Sequence, residues 1–157
     1  EIGGTEFFGH CRLTVPVPER FTITKATLTI EAMARYTYDE IIQQGTWSHA
    51  KNIRLYAASG DRGYHYYPHP SGDAFVGWMG MMDVTSAVLG VDAWSPALVP
   101  ASPSPGNIPY IQRISGSIAA YLTAGESTTF MAEADVADPG SGVGRMIVVV
   151  EGYVRPE

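Results

Sequence analysis

The sequence is short of charge and almost without cysteine. Asp, Glu, Lys and Arg make up 17% of its 157 residues, against roughly 25% in an average soluble domain. The balance is 16 acidic to 10 basic residues, a net charge of −6. The basic residues are scattered, which excludes nucleic acid as a partner, because phosphate backbones are held by clustered Lys and Arg. Cys11 is the sole cysteine. No internal disulfide and no cysteine-based zinc site can be built, and Cys11 reads as a small buried hydrophobe. The longest purely apolar run, Met146 to Val150, is too short to span a bilayer, and no signal-peptide pattern is present, so no membrane partner is expected. The chain opens on Glu1 rather than Met; a leading segment is expected to have been cleaved, trimmed or left out.

Catalytic signatures are also missing. There is no Gly-x-Ser-x-Gly, and Cys11 beside His10 lies in an alternating strand, which does not make a dyad. Gly140-Ser-Gly142-Val-Gly144 runs into a strand where a phosphate cradle needs a helix. No enzyme, no catalytic residue and no cofactor is expected. His65 and His69 with Asp61 and Asp73, and Asp135 with Asp138 and Gly140, are the candidate metal ligands. The prolines around the histidines extend the segment, so residues four apart do not share a helical face, and the acidic loop lacks a full calcium-loop pattern. No metal is expected.

What is present is hydrophobic residue, 45% of the chain. The length suits one domain that buries on the order of 70% of its unfolded surface. So weakly charged a surface favours cover by copies of the same chain or by a larger assembly. Residues 1–10, with Gly3, Gly4, Gly9 and the pair Phe7 and Phe8, read as an arm ordered by packing on a neighbour; residues 11–157 read as one domain. Cys11, Leu13, Val15 and Val17 alternate with polar residues, and Pro16 and Pro18 end that strand or place it on an edge. From Phe21 to Ala34 the alternation continues with a phase shift near Lys25 and Ala26, which calls for a turn or bulge. Leu28, Ile30 and Ala32 then point inward and Thr27, Thr29 and Glu31 outward.

Residues 35–51 show no sustained period and read as a long loop; Asn52 to Ala58 is a strand. In the stretch Gly77 to Gly90 a strand-like run breaks into a short helix near 83–89, with Asp83 as N-cap and Gly90 closing it in the left-handed conformation. Trp78 and the methionines beside it are expected to plug one end of the sandwich. Ser95 to Pro109 holds five prolines and reads as an extended connection. Ile118, Ala120 and Leu122 read as one arm of a hairpin turning at Ala124 to Ser127, with Thr128 to Ala134 as the other. Met146 to Val150, apolar on both faces, reads as a central strand. Many short strands, turns and little helix predict an all-β jelly-roll sandwich with one short crossover helix.

Ser115-Gly116-Ser117-Ile118 to Gly125-Glu126, then Thr128 to Ala132 and the closing Met146 to Tyr153, resemble the C-terminal part of trimeric jelly-roll heads of the tumour-necrosis-factor and complement-head kind. Ala26 to Ile30, Asn52 to Tyr56 and Asp83-Val-Thr-Ser-Ala-Val88 resemble galactose-binding-like jelly rolls. Similar modules recur as decoration and tail proteins of tailed bacteriophages. The resemblance implies a non-enzymatic structural protein, a capsid decoration, cement or tail component, assembling as a homo-oligomer, a trimer by family likeness. It places the chain on a virion surface or in an extracellular assembly, with a capsid or tail protein as a further partner. Phe7, Phe8, Tyr36, Tyr38, Trp47, Tyr64, Tyr66 and Tyr67 are the expected contacts, since aromatic residues anchor interfaces. The alternative is a carbohydrate-binding module in which Trp47, Tyr64 and Tyr66 stack on sugar rings.

Overall fold

The computed structural model describes residues 10–39, 41–49, 51–61, 81–90, 108–135 and 142–156. Strands β1 (His10–Pro16), β2 (Phe21–Asp39), β3 (Gln44–His49), β4 (Lys51–Ser59) and β5 (Met82–Asp83) lead into helix α1 (Thr85–Val88). Strands β6 (Ile108–Ser117), β7 (Ser127–Asp135) and β8 (Gly142–Val154) follow. One sheet has the order β1-β7-β4-β5; in the other, β2 carries β6 on one edge, and β8 followed in line by β3 on the opposite edge. All pairings are antiparallel. Three of them nest, β1 with β7, β2 with β6 and β4 with β5, as in a jelly roll, while the pairings of β2 with β8 and of β4 with β7 fall outside this nested series. The expected all-β sandwich is therefore what the chain forms.

The core lies between the sheets. Ala26, Leu28, Ile30 and Ala32 of β2 are fully buried against Leu55, Phe130 and Ala132 from the facing sheet. Each large side chain so buried stabilises the fold by about 1.5–3 kcal/mol. Two bulges keep the apolar residues in phase. Ile23 and Ala26 both pack inward although three residues apart, and the register slips at Thr24, whose hydroxyl donates to the Glu151 carbonyl at 3.1 Å. This is the irregularity expected near Lys25 and Ala26, placed one residue earlier. Val143 and Met146, also three apart and both buried, straddle a second slip at Gly144 that turns Arg145 outward.

Four expectations are corrected. Residues 35–51 are not a long loop: β2 runs on to Asp39, turns through residues 41–43 with Gln43 at φ 56°, and returns as β3. Tyr, Thr and Trp have high strand propensity, but without an apolar–polar alternation they give no period to read. Ile118 to Leu122 is no hairpin arm, because Ala119–Tyr121 is one turn of 3-10 helix that carries the chain from β6 in one sheet to β7 in the other. Ile118 and Leu122 are buried all the same. Among the described residues β8 pairs with β2 alone, at the edge of the described sheet rather than in its centre.

The fourth concerns the helix. Val84 is the N-cap and Asp83 the last residue of β5, from where its Oδ1 accepts the Thr85 N–H at 2.9 Å. Asp83 thus satisfies a helix donor from one position earlier than expected. The Val84 N–H donates to the Leu55 carbonyl and the Leu55 N–H to Thr85 Oγ1, stitching the helix start to β4. Gly90 closes the turn at φ +89°, as expected. Val84 and Val88 fill the end of the sandwich, while Met82 is exposed; Trp78 and Met79 lie outside the described residues. A Cβ at Gly116 would overlap the Val88 carbonyl and lie 2.8 Å from Val88 Cγ1, so glycine is what lets β6 pass the helix.

Candidate functional site

Chemistry-bearing side chains gather on the outer faces of both sheets. On the β2 sheet, register sets Glu31 opposite Arg113 of β6 and Arg145 of β8. Arg145 Nε reaches Glu31 Oε1 at 2.9 Å and its Nη2 reaches Oε2 at 3.3 Å, while Arg113 Nε reaches Oε2 at 3.0 Å. The carboxylate is buried beneath two arginine side chains that are 60% and 64% exposed. The Arg145 hydrogen bond, assisted by the charges of both arginines and opposed by burial, holds the Glu31 carboxyl below the usual carboxylate range. The group carries one positive charge in excess. With its carboxylate fully occupied, it can offer cationic N–H donors and no base.

Beside this group the outer face carries hydroxyls and apolar side chains, with exposed Lys25 and Glu151 opposite each other farther along. Thr29 and Ser115 hydrogen-bond each other at 2.8 Å, and along β8 Ile147 is 37% exposed, Val149 53% and Tyr153 57%. Met146 is buried, and Val148 and Val150 of the same strand pack against the core. This explains a run apolar on both faces in a strand that is not central: one face closes the sandwich and the other stands in water.

On the opposite sheet, Arg54 Nε meets Glu133 Oε1 at 2.9 Å, with the Tyr56 hydroxyl 3.5 Å from the same oxygen. Burial, reinforced by the charges of Glu133 and Asp83, raises the Tyr56 phenol above its ordinary range. It keeps its proton at neutral pH. Thr14 Oγ1 lies 3.0 Å from Thr129 Oγ1 and donates to Asp61 at 3.1 Å, and Thr129 donates to the Gly60 carbonyl. Asp61 is also 3.6 Å from Arg12. These polar groups satisfy one another. Burial pushes the Cys11 thiol up to about 12, so at neutral pH it presents neither a nucleophilic thiolate nor a metal ligand.

Among the expected contact residues, register sets Trp47 directly opposite Tyr36, and Gly45 opposite Tyr38, on the β2–β3 hairpin. Phe7, Phe8, Tyr64, Tyr66 and Tyr67 lie outside the described residues. Of the expected sugar platform, Trp47 is on β3, and Tyr64 and Tyr66 fall outside as well. So do His65, His69, Asp73, Asp138 and Gly140. Among the described residues no group of three or more His, Cys, Asp or Glu is placed to hold a metal ion.

Three features went unread in the sequence. Glu31, Arg113 and Arg145 are far apart in the chain, and only the register joins them. The outward row of β8 was legible as apolar but was assigned to a central strand. Ile41, 93% exposed, and Ile42 stand at the tip of the β2–β3 hairpin, where an isolated Ile-Ile between polar residues was the available signal. The chain matches no known family model, no curated protein and no solved structure. What the resemblance to tumour-necrosis-factor-like heads and phage proteins shares with the structure is the β-sandwich.

Proposed function

We propose that this chain is a non-enzymatic structural module that works by assembling with copies of itself. The observation that carries the reading is the outward row of β8, with Ile147, Val149 and Tyr153 exposed at the edge of the described sheet next to a Thr- and Ser-lined face. An edge of this length with an apolar face is a template for association unless it is covered. The low charge of the whole chain, 17%, supports the same reading, since a module enclosed by neighbours needs little hydration at its contacts. The protonated state of Cys11 and the engagement of both Glu31 carboxylate oxygens by arginines agree with a non-enzymatic role. The setting we propose is a virion surface or comparable extracellular assembly; it rests on composition and on the resemblance of the strand segments.

Light scattering of the full chain at micromolar concentration tests the assembly. A mass of two or more chains is expected, and a stable single-chain mass overturns it. Glycan-array screening addresses the carbohydrate alternative: retention lost on Trp47→Ala, with the mass unchanged, would replace the assembly reading.

A further inference from the structure

We infer that β8 pairs with β8 of a second copy of this chain, antiparallel, about a two-fold axis through Val148. The inference rests on the assembly reading above and specifies its interface.

The backbone directions come first. The Glu151 carbonyl accepts from Thr24 of β2, and the Arg155 N–H donates to the Arg20 carbonyl, so both residues turn their main-chain groups toward β2. In an antiparallel ladder these directions alternate residue by residue. Met146, Val148 and Val150 therefore turn their N–H and C=O groups to the other edge, where no described strand pairs with them. A two-fold axis at Val148 joins these groups to their symmetry mates without disturbing the β2 ladder.

Side chains then fix the register. With the axis at Val148, Arg145 stands opposite the partner's Glu151, Glu151 opposite the partner's Arg145, and Ile147 opposite the partner's Val149. The Glu31, Arg113 and Arg145 group has one positive charge in excess, and Arg145 is 64% exposed while bound to Glu31. Glu151, exposed and with Lys25 opposite it on β2, complements it across the new ladder, and symmetry makes the pair twice. Moving the axis one residue either way destroys the match: Glu151 would then face the partner's Val143 or Ile147, and Arg145 the partner's Val149 or Tyr153. The chosen register also brings Ile147 and Val149 of both chains together into one apolar patch, bounded at each end by an Arg145–Glu151 pair. This interface closes with two chains, whereas the family likeness implied three.

The test combines mass with register. The full chain is expected to sediment as a dimer, and the doubly substituted Ile147→Lys, Val149→Lys chain as a monomer with an unchanged circular dichroism spectrum. In a Cys11→Ala background, residues 147 and 149 of opposite chains face each other as a non-hydrogen-bonded pair, Cα atoms about 4.5 Å apart, within disulfide reach. Residue 147 to its own symmetry mate is about 8 Å, beyond reach. Mixing Ile147→Cys with Val149→Cys chains under mild oxidation should give a disulfide-linked dimer that neither variant gives alone. An oligomer that ignores the lysines and shows no such cross-link overturns the β8 interface and leaves assembly standing. A wild-type monomer overturns both.

Discussion

Glu31 is the residue whose environment departs furthest from what its place in a strand implies. Counting along β2 puts it on the solvent side, and there it is, yet Arg113 and Arg145 cover it and hold its carboxyl below its ordinary range. A carboxyl whose folded value is lowered contributes stability that is present above the unfolded value of about 4.3 and is lost as pH falls through the folded value. Urea midpoints at pH 6 and pH 3 should therefore fall more for the wild type than for Glu31→Gln. At pH 7, Glu31→Ala should cost about 1.5–3 kcal/mol, the range for hydrogen bonds to charged partners. Cys11 is a contrasting case: as the sole cysteine it reads as a small buried hydrophobe, and it lies partly buried against the core. Its thiol, pushed up to about 12 by burial, should react with a thiol reagent at pH 8 more slowly in the folded than in the unfolded chain; equal rates would contradict its packing.

At the scale of elements, legibility followed periodicity. Strands β1, β2 up to Ala32, and β4 alternate over buried neighbours, and they were readable. The β2–β3 hairpin was not, since Tyr36, Tyr38 and Trp47 lie where no apolar–polar alternation marks a face. The 3-10 turn at Ala119–Tyr121 was missed because Ile118 and Leu122 are both buried and, counted by twos, mimic a strand. The helix at Thr85–Val88 was found from Asp83 and Gly90, though its cap lies one residue later than expected. Asp83→Ala removes the bond to the Thr85 N–H and should cost about 1 kcal/mol in urea unfolding. Gly116→Ala should cost more, about 1–3 kcal/mol, because its Cβ meets the backbone of Val88, which no side-chain rotation relieves. A neutral Gly116→Ala would mean that β6 and α1 do not approach as described.

For the molecule as a whole, the candidate site was half legible. The aromatic residues expected to make contacts are split between the β2–β3 hairpin and segments outside the described residues. The row that carries the assembly reading is on β8. Sequence showed that row to be apolar on both faces; only pairing shows that its strand lies at the edge of the described sheet, because a buried central strand and an edge strand covered by another chain have the same composition. In the proposed pairing the cationic group at Arg145 meets Glu151 of a second copy. Sedimentation equilibrium of the unmodified full chain from low to high micromolar concentration tests this account most directly. The account predicts a reversible approach to the mass of two chains, abolished by Ile147→Lys with Val149→Lys; a single-chain mass throughout that range would contradict it.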